Sequence, residues 1–137
     1  MDTYPHFDRM AQTENDWFES LIKLARYLRT PEGCPWDREQ NSTSFANYAK
    51  GEAEELIEAL ESNNNDHIAE EFGDTLFTLL ATAAAAEEEG RFKLKDVLKK
   101  AHIKMIRRHE HVFGDERATT AEEAEIAWEK AKQKERD

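Results

Sequence analysis

Residues 45–86 read FANYAKGEAEELIEALESNNNDHIAEEFGDTLFTLLATAAAA. Three consecutive asparagines divide this stretch into two segments whose apolar residues recur at helical spacing. Each segment carries two acidic residues three positions apart, Glu52 with Glu55 in the first and Glu71 with Asp74 in the second. Residues three apart lie on one face of a helix, so each pair can direct two carboxylates at a common point. The stretch therefore predicts two helices that carry a candidate site for a hard cation.

The position of Glu52 within its helix is unusual for a carboxylate. At about 100° per residue, Glu52 falls near the middle of an apolar stripe and Glu55 at its edge. The stripe consists of Phe45, Ala49, Leu56, Ala59 and Leu60. An unpaired carboxylate that faces a core is costly, so a bound divalent cation is its candidate partner. Carboxylate oxygens suit Mg²⁺, with Mn²⁺ as the alternative, better than Zn²⁺, which prefers His and Cys.

Composition indicates the fold class. The chain has 137 residues, of which 36% are charged, with only five Gly and three Pro. This length is typical of one domain, and the abundant Ala, Glu, Leu and Lys are strong helix formers. We therefore expect an all-α protein, an antiparallel bundle of four to five helices.

Charge and cysteine content limit the partners. The formal net charge of −11 would repel nucleic acid and anionic membranes, so we expect neither as a partner. The apolar run Thr75–Ala86 is too short to span a bilayer, and no signal peptide is recognisable at the start. The single cysteine, Cys34, excludes an intrachain disulfide and suits a reducing compartment. A cytoplasmic location is the expectation.

Capping and breaking residues predict the order of the elements. We expect residues 1–15 to form a flexible arm and residues 16–137 a single helical domain. The first predicted helix is capped by Asp16 and ends near Arg29, and the second is capped by Asn41, Ser42 or Thr43 and runs to about Ser62. The others are predicted from about His67 to Glu88, from about Leu94 to His109, and after Thr119 and Thr120. Loops are predicted at Pro31–Gln40 and His109–Asp115, and fraying at Lys132–Asp137.

Two further features have both structural and functional interpretations. Trp36 is either a loop aromatic buried in the core or a wall of a ligand pocket, where its ring could stack on a base. The basic residues Lys104, Arg107 and Arg108 either stabilise a helix C-terminus through the helix dipole or bind phosphate.

Six sequence blocks follow one another between Leu21 and the C-terminus. They are GCPWDREQ (33–40), EAEE (52–55), EEFGD (70–74), EEGRF (88–92), KMIRRHEHVFGD (104–115), and Trp128 with Lys132. In this order and at these distances they resemble the MazG family of nucleotide pyrophosphohydrolases, within the all-α NTP pyrophosphatase superfamily. The resemblance implies a MazG-like helical fold and an enzyme that hydrolyses nucleoside triphosphates to the monophosphate and pyrophosphate.

The resemblance also implies roles for particular residues. Mg²⁺ would be held, and catalysis carried out, by Glu52, Glu55, Glu71 and Asp74. Substrate would be bound by Lys104, Arg108, Trp128 and Lys132, to which the chemistry of an aromatic ring and of a basic cluster adds Trp36 and Arg107. Which carboxylate takes the proton of the attacking water stays open. The family further implies a homodimer, with a higher homo-oligomer as the alternative.

Gly51 departs from the family pattern, in which an acidic residue stands at this position. A glycine inside a helix costs about 1 kcal/mol relative to alanine, and the missing carboxylate puts two-metal chemistry in question. The alternative function is therefore a catalytically weakened nucleotide-binding or regulatory module. A purely structural acidic bundle is the third hypothesis.

Overall fold

The computed structural model describes residues 11–137, and within this range all regular secondary structure is helical. The predicted all-α class is confirmed. The helices are α1 (Glu14–Tyr27), α2 (Pro35–Glu39), α3 (Ser42–Ser62), α4 (Asn65–Glu88), α5 (Leu94–Arg108), α6 (Glu110–Phe113) and α7 (Ala121–Arg136). The chain divides after Lys93 into two compact units, the first containing α1–α4 and the second α5–α7. A single domain over residues 16–137 stays a prediction.

The first helix begins earlier than the sequence predicted. Thr13 is the N-cap of α1, and its hydroxyl accepts a hydrogen bond from the Asp16 N–H at 3.1 Å. Asp16 occupies the third helical position, where its carboxylate accepts from the Thr13 N–H at 3.2 Å. Asp16 as the N-cap was therefore wrong, because the two residues form a capping box. The helix starts inside the predicted arm, of which residues 1–10 lie outside the described part.

Both predicted loops contain a short helix. Pro35 opens α2 at its first position, where its missing N–H is no cost. The segment His109–Asp115 contains α6. At the C-terminus α7 continues to Arg136, and the fraying of Lys132–Asp137 stays a prediction.

The helices α3 and α4 form the main contact of the first unit. Asn63 ends α3 in the left-handed conformation at φ 60°, and Asn64 caps α4 directly afterwards, so the two helices are antiparallel neighbours. Phe45 packs between Ala81 and Ala85 in the core. Most positions of the predicted α3 stripe are buried or half-buried, but Leu60 is 52% exposed and departs from it.

Arg29 fixes the segment between α1 and α3. Its side chain is only 9% exposed and forms an ion pair with Glu88 at 2.5 Å. The guanidinium also donates to the carbonyl oxygens of Asp37, at 2.6 Å, and Gln40, at 3.1 Å, and lies 5.9 Å from the Phe45 ring centroid. One buried cation thus joins the end of α1, the segment that carries α2, and both helices of the α3–α4 pair.

The second unit is held by small side chains and by a salt bridge. Ala127 and Ala131 on α7 are buried, as is Leu94 at the start of α5. Glu135 on α7 accepts hydrogen bonds from Arg107 and Arg108 on α5. In neither unit, over the residues described, is any helix long and apolar enough to cross a membrane.

Replacement of Arg29 should destabilise the protein strongly. We expect Arg29→Met to lower the free energy of unfolding by about 2–4 kcal/mol, because it leaves the part-buried carbonyl oxygens of Asp37 and Gln40 without their donor and breaks the ion pair with Glu88. The half-exposed Arg26, which pairs with Glu87 at 3.0 Å, is the matched control, and Arg26→Met should cost less than about 1 kcal/mol. Urea unfolding measures both, and equal losses would contradict the role of Arg29.

Candidate active site

Three of the four predicted acidic ligands converge between α3 and α4. One carboxylate oxygen from each of Glu52, Glu55 and Glu71 lies within 4.8 Å of the others. Glu71 is 8% exposed, Glu52 is half-buried and Glu55 is exposed. This order agrees with the predicted stripe, which placed Glu52 toward the core and Glu55 at its edge. The pair on α3 and one member of the pair on α4 therefore come together, which is three of the four carboxylates that the sequence predicted.

Two oxygens of the cluster are buried without a partner. The second carboxylate oxygens (Oε2) of Glu52 and Glu71 have no hydrogen bond within the described chain and almost no solvent contact. Buried polar atoms are normally paired, so such a pair of orphaned acceptors needs an explanation. A divalent cation would satisfy both, and oxygen donors of this type are those that Mg²⁺ and Mn²⁺ prefer. The residues present fit the metal.

The pKa shifts of the clustered carboxylates also favour a bound cation. Burial raises the pKa of Glu52, and the nearby charge of Glu55 raises it further. Burial likewise raises the pKa of Glu71, again with repulsion from Glu55, while His67, whose ring nitrogen lies 3.8 Å from a Glu71 oxygen, lowers it. The folded protein therefore holds negative charges together at a cost that a bound cation would remove.

Asp74, the fourth predicted ligand, lies at the edge of this cluster. Its charge contributes to the raised pKa of both Glu52 and Glu71, yet its side chain is not among the three that converge. Asp74 is exposed, and together with Glu52 it borders a cavity of about 330 Å³ in the first unit. The acids thus extend from a buried group to the wall of an open cavity.

Aromatic residues also line this cavity. Trp36 lines it beside Phe45 and Tyr48, with its ring centroid 6.0 Å and 5.4 Å from theirs. Trp36 is 47% exposed, so the interpretation of a side chain buried in the core was wrong. The remaining lining residues are Leu28, Asp37, Phe77, Thr78 and Ala81. Four aromatic rings, those of Trp36, Phe45, Tyr48 and Phe77, therefore line the same cavity as the carboxylates of Glu52 and Asp74.

The backbone beneath the acids is braced by threonines. The Thr75 hydroxyl donates to the Glu71 carbonyl at 2.8 Å, and the Thr78 hydroxyl to the Asp74 carbonyl at 3.1 Å. Such hydrogen bonds to the preceding turn often bend a helix. The backbone carbonyls of Glu71 and Asp74, the two predicted metal ligands on α4, therefore each accept a hydrogen bond from a hydroxyl of the next turn.

Gly51 stands directly before the acids of α3 and is exposed. A Cβ atom built on it would have no heavy atom of the surroundings within 4 Å. The glycine is therefore not required by packing, and the position has room for a longer side chain.

Three of the predicted substrate-binding residues, Arg107, Arg108 and Trp128, lie close together in the second unit. The Arg108 guanidinium carbon lies 5.2 Å from the centroid of the Trp128 ring, and Arg107 is next to Arg108 on α5. Lys104 and Lys132 make no hydrogen bond or ion pair with any residue from 11 to 137. Glu135, which binds both arginines, was missed, although it lies two helical turns after Trp128 on the same face.

An all-α scaffold in which carboxylates of two paired helices converge defines a class of helical proteins with a candidate metal site. Within that class the chain belongs to the MazG family. The sequence model of that family, described as the MazG nucleotide pyrophosphohydrolase domain, matches residues 40–113, which is more than half of the chain.

Individual relatives agree with this assignment. The chain is 46% identical over 98 residues to the nucleoside triphosphate pyrophosphohydrolase/pyrophosphatase MazG of Thermotoga maritima, covering 72% of this chain and 38% of that protein. It is 39% identical over 119 residues to the nucleoside triphosphate pyrophosphohydrolase of Escherichia coli K12, covering 86% and 45%. The chain thus spans less than half the length of these curated relatives.

A solved structure supports the fold. The crystal structure of a mazG-related protein from Thermotoga maritima is similar with a TM-score of 0.71 at 30% identity, covering 84% of this chain and 98% of that one. The predicted MazG-like helical fold is confirmed.

The acidic cluster should destabilise the metal-free protein. We expect Glu71→Gln to raise the melting temperature in EDTA, because it removes a buried charge that its neighbours repel. The same substitution should reduce the stabilisation that Mg²⁺ confers on the folded state. Differential scanning calorimetry with and without Mg²⁺ measures both effects. Glu70→Gln, at the exposed neighbouring position, should change neither, and a lower melting temperature for Glu71→Gln in EDTA would contradict the interpretation.

Proposed function

We propose that this chain is a nucleoside triphosphate pyrophosphohydrolase that depends on Mg²⁺, with Mn²⁺ as a substitute. The observation that carries the proposal is the convergence of Glu52, Glu55 and Glu71, two of which have a buried oxygen without a partner. Membership of the MazG family and the names of the relatives support the same reaction.

The carboxylates would act as ligands and as a base. Glu52, Glu55 and Glu71 would hold the cation, and Asp74 would complete the set from the cavity wall. When bound, the metal supplies Lewis-acid polarisation of the α-phosphate and lowers the pKa of an attacking water. A carboxylate of the cluster accepts the proton of that water as its oxygen bonds to the α-phosphorus. The bond from that phosphorus to the bridging oxygen breaks, which releases pyrophosphate and leaves the monophosphate.

The remaining predicted site residues would bind the nucleotide. Trp36 offers a partly exposed ring next to the acids, suited to stacking on a base. Arg107 and Arg108, with Lys104 and Lys132, supply cations for the phosphate oxygens, to which Arg binds by charge-assisted hydrogen bonds. Trp128 gives Arg108 an aromatic face.

Loss of a ligand should abolish turnover without unfolding the protein. We expect Glu52→Gln, Glu71→Gln and Asp74→Asn each to lower kcat for pyrophosphate release by about 100-fold or more, since each removes electrostatic stabilisation of the transition state. Pyrophosphate release is measured with Mg²⁺ and a panel of canonical and modified NTPs and dNTPs. Circular dichroism verifies folding, and Glu58→Gln, at an exposed position on α3, is the matched control.

The same assay distinguishes an active enzyme from the alternative, a catalytically weakened nucleotide-binding or regulatory module. Gly51 favours a weakened module, because this chain lacks the acid that its family carries there. Wild-type protein that binds nucleotide with Mg²⁺ but releases no pyrophosphate would replace the enzyme with a binding or regulatory module. Full activity in the three ligand variants would remove the proposed site.

We also propose a homodimer in solution. Four large apolar side chains on α3 and α4 are more than half exposed, and a partner copy would cover them. They are Ile57, Leu60, Phe72 and Leu79, at 56%, 52%, 58% and 53% exposure.

Sedimentation at micromolar concentration tests the dimer. We expect a dimer for the wild type and a monomer for Phe72→Lys, because the lysine would place a charge in the apolar contact. Ile126→Lys, at a position that is also 59% exposed but lies on α7, should stay a dimer. A wild-type monomer would contradict the proposal, and a larger species would indicate a higher homo-oligomer.

A further inference from the structure

Glu135 contacts Arg108 in a specific way. Both of its carboxylate oxygens accept from the Arg108 Nε, each at 3.2 Å, and one of them also accepts from the Arg107 Nη2 at 2.9 Å. The side chains of Glu135 and Arg108 are 18% and 16% exposed, while that of Arg107 is 52% exposed. The well-covered member of the arginine pair is therefore the one that Glu135 holds by both oxygens.

The contact leaves the terminal edge of Arg108 available. A guanidinium has one N–H at Nε and four at the two terminal nitrogens. Nη1 and Nη2 of Arg108 make no hydrogen bond with any residue between 11 and 137. This edge, with its two parallel N–H groups, is the one that binds phosphate in a bidentate manner.

Trp128 fixes the plane of the same guanidinium. Its ring centroid lies 5.2 Å from the Arg108 Cζ, and the His109 ring contacts the same indole in a T-shaped arrangement, with centroids 5.4 Å apart. A carboxylate at Nε and an aromatic ring against one face restrict both the direction and the rotation of the group. Much of the conformational entropy that Arg108 would lose on binding an anion is already lost.

We propose that Glu135 is a positioning residue, which holds Arg108 by its Nε so that its terminal edge is presented to the phosphate oxygens of the substrate. This inference rests on the proposed function, since it takes a nucleoside triphosphate as the ligand of Arg108. Hydrogen bonds from Arg108, and then from Arg107, lower the pKa of Glu135 to about 2, so the carboxylate stays ionised over the neutral range.

A competing effect gives the inference a sharp test. Glu135 also neutralises positive charge beside the arginines, so its removal would tighten phosphate binding if charge alone mattered. Positioning predicts the opposite: removal of Glu135 weakens binding, because Arg108 is no longer oriented. The two effects differ in sign.

The experiment measures the affinity for inorganic triphosphate by calorimetry, in the presence of Mg²⁺, together with the melting temperature of each variant. We expect Glu135→Gln to weaken binding by about tenfold, the effect of losing one charge-assisted hydrogen bond. Glu135→Asp keeps the charge but draws the carboxylate back by one methylene group, so it should also weaken binding. Glu129→Gln, an exposed position on the same helix, should leave the affinity unchanged.

Arg108→Gln distinguishes the possible failures. If this variant and Glu135→Gln both bind triphosphate more weakly, positioning is supported. If Arg108→Gln weakens binding but Glu135→Gln leaves it unchanged or tightens it, positioning is overturned and the proposed function stands. A melting temperature that falls without a change in affinity would likewise make the contact a structural salt bridge. If Arg108→Gln has no effect, Arg108 does not bind phosphate, and both its proposed role and this inference fail.

Discussion

Carboxylates on α3 and α4 repel one another, and the packing of the first unit has to hold the two helices together against this repulsion. Glu52, Glu55 and Glu71 converge within 4.8 Å, and burial raises the pKa of two of them. Helices that carry such charges separate unless other contacts hold them together. Phe45, packed against Ala81 and Ala85, supplies one such contact, because alanine side chains let two helices approach closely. The core is therefore placed beside the charges whose repulsion it has to resist.

Arg29 extends this scaffold to the segment that carries Trp36. Its contacts with Glu88 and with the carbonyls of Asp37 and Gln40 define where α2 lies against the α3–α4 pair. Trp36 consequently lines the same cavity as Glu52 and Asp74. In each unit an arginine is fixed by a glutamate, but with different results: all three guanidinium nitrogens of Arg29 donate hydrogen bonds, whereas the terminal nitrogens of Arg108 donate none to residues 11–137.

Helical periodicity and capping residues predicted the long helices and the faces on which their acids lie, but not the contacts between distant parts of the chain. The orientation of Glu52 toward the core and of Glu55 at its edge could be predicted, because the spacing of residues on one face is a property of any helix. The short helices α2 and α6 could not be predicted, since five and four residues are too few to show a period. Contacts between distant residues were also missed: Arg29 pairs with a residue 59 positions away, and Glu135 binds arginines 27 and 28 positions before it. The exposure of Leu60 depends on which faces of α3 are covered, which periodicity does not specify.

The open space around Gly51 has an evolutionary consequence. Some glycine codons become glutamate codons by a single base change, and no neighbour within 4 Å would oppose the new side chain. A carboxylate could therefore be gained at this position, next to the candidate metal ligands of α3, without repacking the core. The charge of the candidate metal site can change by a single substitution while the fold stays constant.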